Sequence, residues 1–364
     1  MSENSKIEWC DSTWNPWEGC QKVGPGCNHC YAEARNARFG GGTAVNWGPG
    51  AARRRTSATN WRKPLAWNAQ PFVECVACHW RGARRDFVRR GPNDLLWEMC
   101  PMCNSVDFIP ARMRVFCASL ADVFDKAVDP AWRVDLFRLI AKTPNLDWLL
   151  LTKRIGNAHA MLNEVVDQLS CGLNTWDELP WPGVWLGATI VDQVEADRDI
   201  EKLLMTPARR RFLSMEPLLG PVDLRSWFDP TGVCCMQEMQ SCENCPADAP
   251  WIHGPTTDYA EDGSGYSSPE IDWVIVGGES GPGARPMHPD WARALRDQCA
   301  TAGVPFLFKQ WGEWLPVEPN GTAIRGCGVT PVREPAFRFA ANHHFTKVGK
   351  RSAGRHLDGR LQAV

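Results

Sequence analysis

Three thiols fall within eleven residues, Cys20, Cys27 and Cys30, in the stretch TWNPWEGCQKVGPGCNHCY, among glycines and a proline and with no fourth cysteine beside them. Two thiolates separated by two residues chelate one metal centre, and a third joins them readily from a flexible loop. Three ligands without a fourth suit two centres: a zinc ion completed by water or a distant residue, or a cubane iron–sulfur cluster with one iron left open. An open iron can bind the amino and carboxyl groups of S-adenosylmethionine (SAM), pass an electron to its sulfonium and release a 5'-deoxyadenosyl radical. The cofactor then does the hard chemistry, and the protein supplies thiolates and a dry, oriented pocket.

Two further groups stand apart from this loop. Cys75-x2-Cys78 and Cys100-x2-Cys103 have the spacing of a four-thiolate structural zinc site, as in zinc ribbons. Between these pairs runs HWRGARRDFVRR, five arginines interleaved with Trp80 and Phe87, and Arg53, Arg54, Arg55, Arg62 and Lys63 lie upstream. Arginines with aromatics suit phosphate contact and base stacking, although a solvated surface accounts for them equally well. The third group, Cys234, Cys235, Cys242 and Cys245, repeats the Cx6Cx2C spacing of the first loop, with His253 further on, and suits a second zinc or an auxiliary cluster. Cys10, Cys117, Cys171, Cys299 and Cys327 are scattered and read as buried apolar residues.

The elements that position these residues follow from the apolar pattern. Beyond residue 110, short apolar runs with polar ends recur at 114–124, 146–154, 183–190, 210–218, 272–280 and 304–312. Amphipathic stretches such as PAWRVDLFRLIAK and PDWARALRDQCATAG separate several of them. Buried strands alternating with helices predict a parallel sheet covered by helices, and with one more strand ending at Thr13 to Trp17 an α/β fold of the partial or complete (β/α) barrel type. Residues 1–70, 111–228 and 270–350 form the barrel in this reading. The Cys-rich segments 71–110 and 229–269 are insertions, and 351–364 is a basic tail. Functional residues of such barrels sit where strands end, and the ends here carry Ser119 and Asp122, Lys153 and Arg154, Thr189 and Asp192, Ser214 and Glu216, Glu279 and Ser280, and Lys309 and Gln310. Any one of them, taken alone, is as readily a strand or helix cap.

A chain of 364 residues with 44% hydrophobic content builds a sizeable core, and a net charge of −2 argues against wholesale polyanion binding. The amino terminus has no cationic start followed by an apolar run, and no stretch of about 18 apolar residues occurs. A cytoplasmic protein without a membrane partner is expected, and its sixteen cysteines are then metal ligands or core residues rather than disulfides.

The loop NPWEGCQKVGPGCNHCYAE resembles that of a radical SAM-like group, the phage Gp37/Gp68-type family with a domain of unknown function. The resemblance continues through LLLTKR, VWLGATI, RFLSMEPLLGPV, DWVIVGGESGPGARP, PFLFKQWGEW and VGKRSAGRHLDGR, nearly the whole chain apart from the two insertions. It implies a barrel of the radical SAM type, a 4Fe-4S cluster on Cys20, Cys27 and Cys30, SAM as cosubstrate, and a reductant protein of the flavodoxin or ferredoxin type. The loop departs from the commonest Cx3Cx2C spacing, and Gly24, Pro25 and Gly26 would shape the wider first gap.

With SAM bound, Lys153 or Arg154 is the candidate partner for its carboxylate, Asp122, Ser119, Glu216 and Glu279 are candidate polar contacts, and Gly277 and Gly278 would let backbone approach the adenosine. A Lys153–Glu216 salt bridge internal to the barrel is the plainer alternative. Cys117 and Tyr31 are the nearest groups able to complete a reaction. The expected activity is hydrogen abstraction from an unidentified substrate, with DNA or RNA modification or repair in view. The rival is a non-catalytic scaffold, stabilised by zinc, that binds nucleic acid.

Overall fold

The computed structural model describes residues 2–3, 5, 7–90, 96–228, 270–317, 337–340 and 343–362. The third cysteine group (Cys234, Cys235, Cys242, Cys245), His253 and Cys327 lie outside the described residues. Seven parallel strands run side by side in chain order: β1 (Ser12–Trp14), β2 (Met113–Cys117), β3 (Leu146–Thr152), β4 (Val184–Thr189), β5 (Arg210–Met215), β6 (Trp273–Gly277) and β7 (Phe306–Gln310). After β1 come α1 (Tyr31–Phe39), whose first turn lines the cavity over the strand ends, and α2 (Ala58–Asn68); α2, α3 (Pro130–Ala141), α4 (Ile155–Ser170), α5 (Gln193–Met205) and α6 (Pro289–Ala302) pack on one face. The sheet curls into a half-barrel. It does not close: β7 makes no pairing with β1, whose outer edge pairs antiparallel with Ser2–Glu3. Of the two forms expected, partial and complete, the partial barrel is the one formed.

The first strand ends within the Thr13 to Trp17 span expected from the sequence. It ends at Trp14, and Trp17–Glu18 turns away to pair with Arg54–Arg55. Asn15 drives the turn: its Oδ1 accepts the Leu120 amide at 2.7 Å and its Nδ2 donates to Ser119 Oγ at 3.0 Å, tying the chain to the loop after β2.

Alternate residues of each strand serve two cores. Val115, Trp148, Leu150, Leu186, Leu213 and Val276 face the helices and pack with residues such as Phe137, Leu162 and Ile200. Phe116, Leu149, Phe212, Trp273, Ile275 and Leu307 face the concave side, where Trp9 fills the space between them. A packed floor therefore underlies the carboxyl ends of the strands, as in other barrels whose interior is core rather than pore. Helix starts are set by local chemistry. Asp129 caps α3 with Pro130 in its first turn, His288 caps α6 with Pro289, and Asp192 caps α5 by accepting the Glu195 amide at 2.9 Å. Asp192, a polar strand end in the sequence, is thus a helix cap.

Trp148 is fully buried, meets Trp14 edge-on at 5.5 Å and donates from Nε1 to Thr143 Oγ1 at 3.1 Å. Its replacement by alanine should cost about 3–5 kcal/mol. Denaturant unfolding of Trp148→Ala checks this, and a loss under about 1 kcal/mol would mean that the sheet and helices do not pack as described.

Residues 71–110 form a separate small unit between α2 and β2: a three-stranded sheet (Arg81–Ala83, Phe72–Cys75, Phe108–Ala111) and a hairpin (Val88–Arg90 with Leu96–Glu98) around Val73, Phe87 and Trp80. It sits at the amino-terminal end of the sheet, where Arg81 meets Asp11 at 3.4 Å and donates to the Arg112 carbonyl at 2.6 Å. The basic tail runs beside β7, with the Phe308 amide donating to the Gln362 carbonyl at 3.1 Å and Arg355 reaching Glu8 at 3.4 Å. Among the described residues no helix is long and apolar enough to cross a membrane.

Candidate active site

The chain leaves β1 at the carboxyl end of the sheet and crosses above it, which is where the three cysteines lie. Cys20 follows the Asn15 turn, Cys27 ends a short 3-10 turn (Pro25–Cys27), and Cys30 is the N-cap of α1, at the positive end of that helix. All three line one cavity of about 600 Å³ over the strand ends, together with Lys153, Thr189, Ser214, Glu216 and Lys309. Trp9, Phe116 and Leu151 form its apolar floor. The volume is that of a pocket for a cofactor-sized molecule.

The loop is pressed onto the barrel. A Cβ on Gly26 would stand 2.8 Å from Val191 Cγ1 and 3.4 Å from Lys153 Cε, so only glycine allows the chain this close. Arg285 donates to the Pro25 carbonyl at 2.9 Å and holds Glu279 at 2.6 Å, while His29 Nδ1 lies 3.1 Å from Glu279 Oε2. Burial acts to raise the Glu279 carboxyl, but the bonds from Arg285 and His29 outweigh it and leave it below the usual carboxylate range. Glu279 therefore acts on the loop: its carboxylate is spent in fixing the segment that carries Cys27 and Cys30.

A second clamp holds Cys20. Asp122, at the end of the loop after β2, accepts from Thr152 Oγ1 at 2.7 Å, from the Lys153 amide at 3.1 Å and from Arg154 Nη1 at 3.1 Å. The same Arg154 nitrogen lies 3.4 Å from Cys20 Sγ, and Nη2 donates to the Gln21 carbonyl at 2.9 Å. Burial pushes the Cys20 thiol up to about 11, against the pull of the Arg154 guanidinium. Asp122 and Arg154 thus serve each other and the thiol, whereas Lys153, which also lines the cavity, has its Nζ bonded to Thr189 Oγ1 at 3.2 Å.

Glu216 pairs with Lys309, at 2.6 and 2.9 Å, and with Gln310 Nε2 at 3.0 Å, rather than with Lys153. Ser119 lines the cavity and its carbonyl accepts the Tyr31 hydroxyl at 2.5 Å. Tyr31 also lines the cavity and is 57% exposed. Cys117 is placed differently: it is fully buried on the helix side of β2, outside the cavity, and burial pushes its thiol up. Gly278 lines the cavity, yet a Cβ there would come within 1.9 Å of the Trp311 carbonyl, so its size is set by a crossing of backbones. Gly277 lies against the Glu216 side chain. Sequence reasoning missed His29 and Arg285; His29 is flanked by cysteines, which is a signal, whereas Arg285 lies in a loop with none.

One zinc ion bound at about 2.3 Å by tetrahedral thiolates brings their sulfurs to about 3.8 Å of one another. Among the described residues only Cys75, Cys78, Cys100 and Cys103 have all their sulfurs within 4.8 Å; the loop cysteines do not. Three sulfurs that share a cavity but stand further apart fit a cluster in which each thiolate takes its own iron. Two of the arginines between the ribbon cysteines are engaged elsewhere: Arg81 with Glu74 and Asp11, and Arg84 with Glu98 at 3.0 Å. Phe87 is fully buried against Trp80, and Arg53 forms a buried pair with Asp125 at 2.9 Å. Phe87 is thus closed to base stacking.

The chain matches no curated protein and no solved structure. A family model described as a protein of unknown function, DUF5131, matches residues 4–363, and the chain accordingly belongs to that family.

Proposed function

We propose that this chain is a radical SAM enzyme, with a 4Fe-4S cluster on Cys20, Cys27 and Cys30 and SAM in the cavity beside it. The observation that carries the reading is the convergence of three cysteines on a cavity of about 600 Å³ at the carboxyl end of a partial barrel, without the close four-thiolate grouping of Cys75, Cys78, Cys100 and Cys103. The resemblance of the loop and strand-end motifs to the phage Gp37/Gp68-type family supports it. A cluster of this kind supplies one electron to the sulfonium of bound SAM and so opens radical chemistry.

The chain's own groups orient and enclose. Lys153 offers the SAM carboxylate a charge-assisted bond. Glu216 and Ser214 offer acceptors to amino and hydroxyl groups, and the floor of Trp9, Phe116 and Leu151 keeps water from the reacting centre. Asp122, Arg154, Glu279 and Arg285 hold the loop still. For the substrate, Arg35 and Trp47 both line the same cavity, and a cavity that offers a guanidinium and an indole suits a nucleotide, so DNA or RNA modification or repair stays the preferred class. A flavodoxin- or ferredoxin-type protein would deliver the electron.

Anaerobic reconstitution followed by iron and sulfide analysis, with a dithionite assay for 5'-deoxyadenosine, tests the reading. About four irons in the loop cluster and production of 5'-deoxyadenosine are expected. Protein that holds zinc alone and leaves SAM intact would favour the scaffold. Lys153→Ala should weaken SAM binding roughly 10- to 100-fold, the worth of a charged hydrogen bond. Calorimetric titration of the reconstituted protein reads this, and unchanged affinity would remove Lys153 from the carboxylate.

A further inference from the structure

The four ribbon cysteines converge at the opposite end of the sheet from the cavity. Cys75 and Cys103 sulfurs are 3.6 Å apart, as are those of Cys78 and Cys100, and all four lie within 4.8 Å of one another. Such spacing is far too long for a disulfide and close to the ~3.8 Å that a tetrahedral four-thiolate ion requires.

The backbone is shaped for the same purpose at both corners. After each Cys-x2-Cys pair the next residue, His79 or Asn104, has a positive φ (57° and 61°) and donates its amide to the carbonyl of the first cysteine, at 2.9 and 3.0 Å. Two equivalent knuckles therefore aim their sulfurs at one point. Among the described residues the apolar core around them is small, Val73 and Phe87 with Trp80 and Phe108 beside them, and a core of that size calls for a staple.

We propose that Cys75, Cys78, Cys100 and Cys103 bind a structural zinc ion that staples the amino-terminal end of the barrel. Four thiolates fill the tetrahedron and leave no position for a substrate, and zinc brings no redox change with it. The ion's effect reaches the sheet through Arg81. That side chain joins the ribbon to Asp11 and to the Arg112 carbonyl, the residues that immediately precede β1 and β2, and Asp11 Oδ2 in turn accepts the Arg114 amide at 2.7 Å. The zinc thus fixes the start of the two strands whose far ends carry the thiolate loop and Asp122. This proposal stands on the ribbon's geometry and does not depend on the chemistry of the cavity.

The test begins from full-length protein carrying Cys20→Ala, Cys27→Ala and Cys30→Ala, so that no loop cluster forms. Metal content is measured in it and in the same protein with Cys75→Ser and Cys100→Ser added. The ribbon variant should contain about one zinc fewer per chain and unfold about 5–10 °C lower. Where the double change prevents folding, Cys103→His keeps four ligands. Cobalt(II) in place of zinc should then lose part of its thiolate charge-transfer absorption while the protein stays folded. Equal zinc in parent and ribbon variant, iron in place of zinc, or a cobalt spectrum indifferent to Cys103→His would overturn the assignment. An unchanged unfolding temperature after loss of the zinc would overturn its role as a staple.

Discussion

Cys27→Ala protein, reconstituted anaerobically with iron and sulfide, is expected to lack the loop cluster's visible absorption and to form 5'-deoxyadenosine no faster than a protein-free control. Cys27 is the most stringent of the three positions. It is buried, it ends the 3-10 turn, and it lies between Pro25, held by Arg285, and His29, held by Glu279. The loop's other two thiolates cannot move into its place without breaking those bonds. The fold should survive, because a cysteine-to-alanine change here removes one sulfur from a loop and none of the strand or helix packing. A melting temperature close to that of the parent, together with lost iron and lost product, is the expected pair of results. Full iron and undiminished product would place the chemistry at another cysteine group.

The second large effect is at Asp122. Its carboxylate and the Arg154 guanidinium are both about 7% exposed and face each other at 3.1 Å. Asp122→Ala leaves a buried cation whose remaining partners are the Gln21 carbonyl and the Cys20 sulfur. Breaking a buried pair from one side costs about 3–5 kcal/mol, most of it from the uncompensated charge. Urea unfolding of the metal-free protein should show a loss of that size. Removing both partners together, in Asp122→Ala with Arg154→Met, should recover part of it, since no buried charge is then stranded. If the double variant were no more stable than Asp122→Ala alone, the stranded charge would not be the source of the loss. Iron retention should fall in Asp122→Ala as well, because Cys20 loses the arginine that positions it.

The strands were readable because a parallel sheet covered on one side by helices and on the other by its own packed floor needs near-continuous apolar runs, and six such runs were plain. That same property hides which face each residue takes. With both faces apolar there is no alternation to fix parity, and Cys117 looks as well placed at a strand end as any neighbour. In the structure Phe116 points to the concave side and Cys117 to the helices, and one residue of register separates a cavity wall from core.

Polar strand ends did gather at one cavity, yet their partners were not legible. Glu279 is joined to His29 across 250 residues and Arg285 to Pro25 across 260, separations over which no local pattern operates. The ribbon arginines looked available in sequence because Glu98, which meets Arg84 across the hairpin, and Asp11, which meets Arg81 from outside the unit, are remote along the chain. The ribbon's metal-type spacing, by contrast, was fully visible, since both ligand pairs are local.

Most polar cavity residues are contributed at or beyond the carboxyl ends of strands or by the loop above them, whereas the ribbon hangs from the amino ends, between α2 and β2. Residue 270, which follows the other Cys-rich segment in the sequence, likewise precedes the amino end of β6. A lineage can therefore acquire, lengthen or discard such modules at one end without redesigning the reaction chamber at the other. Relatives of this chain are expected to differ most in length at these two places and least in the loop that bears Cys20, Cys27 and Cys30.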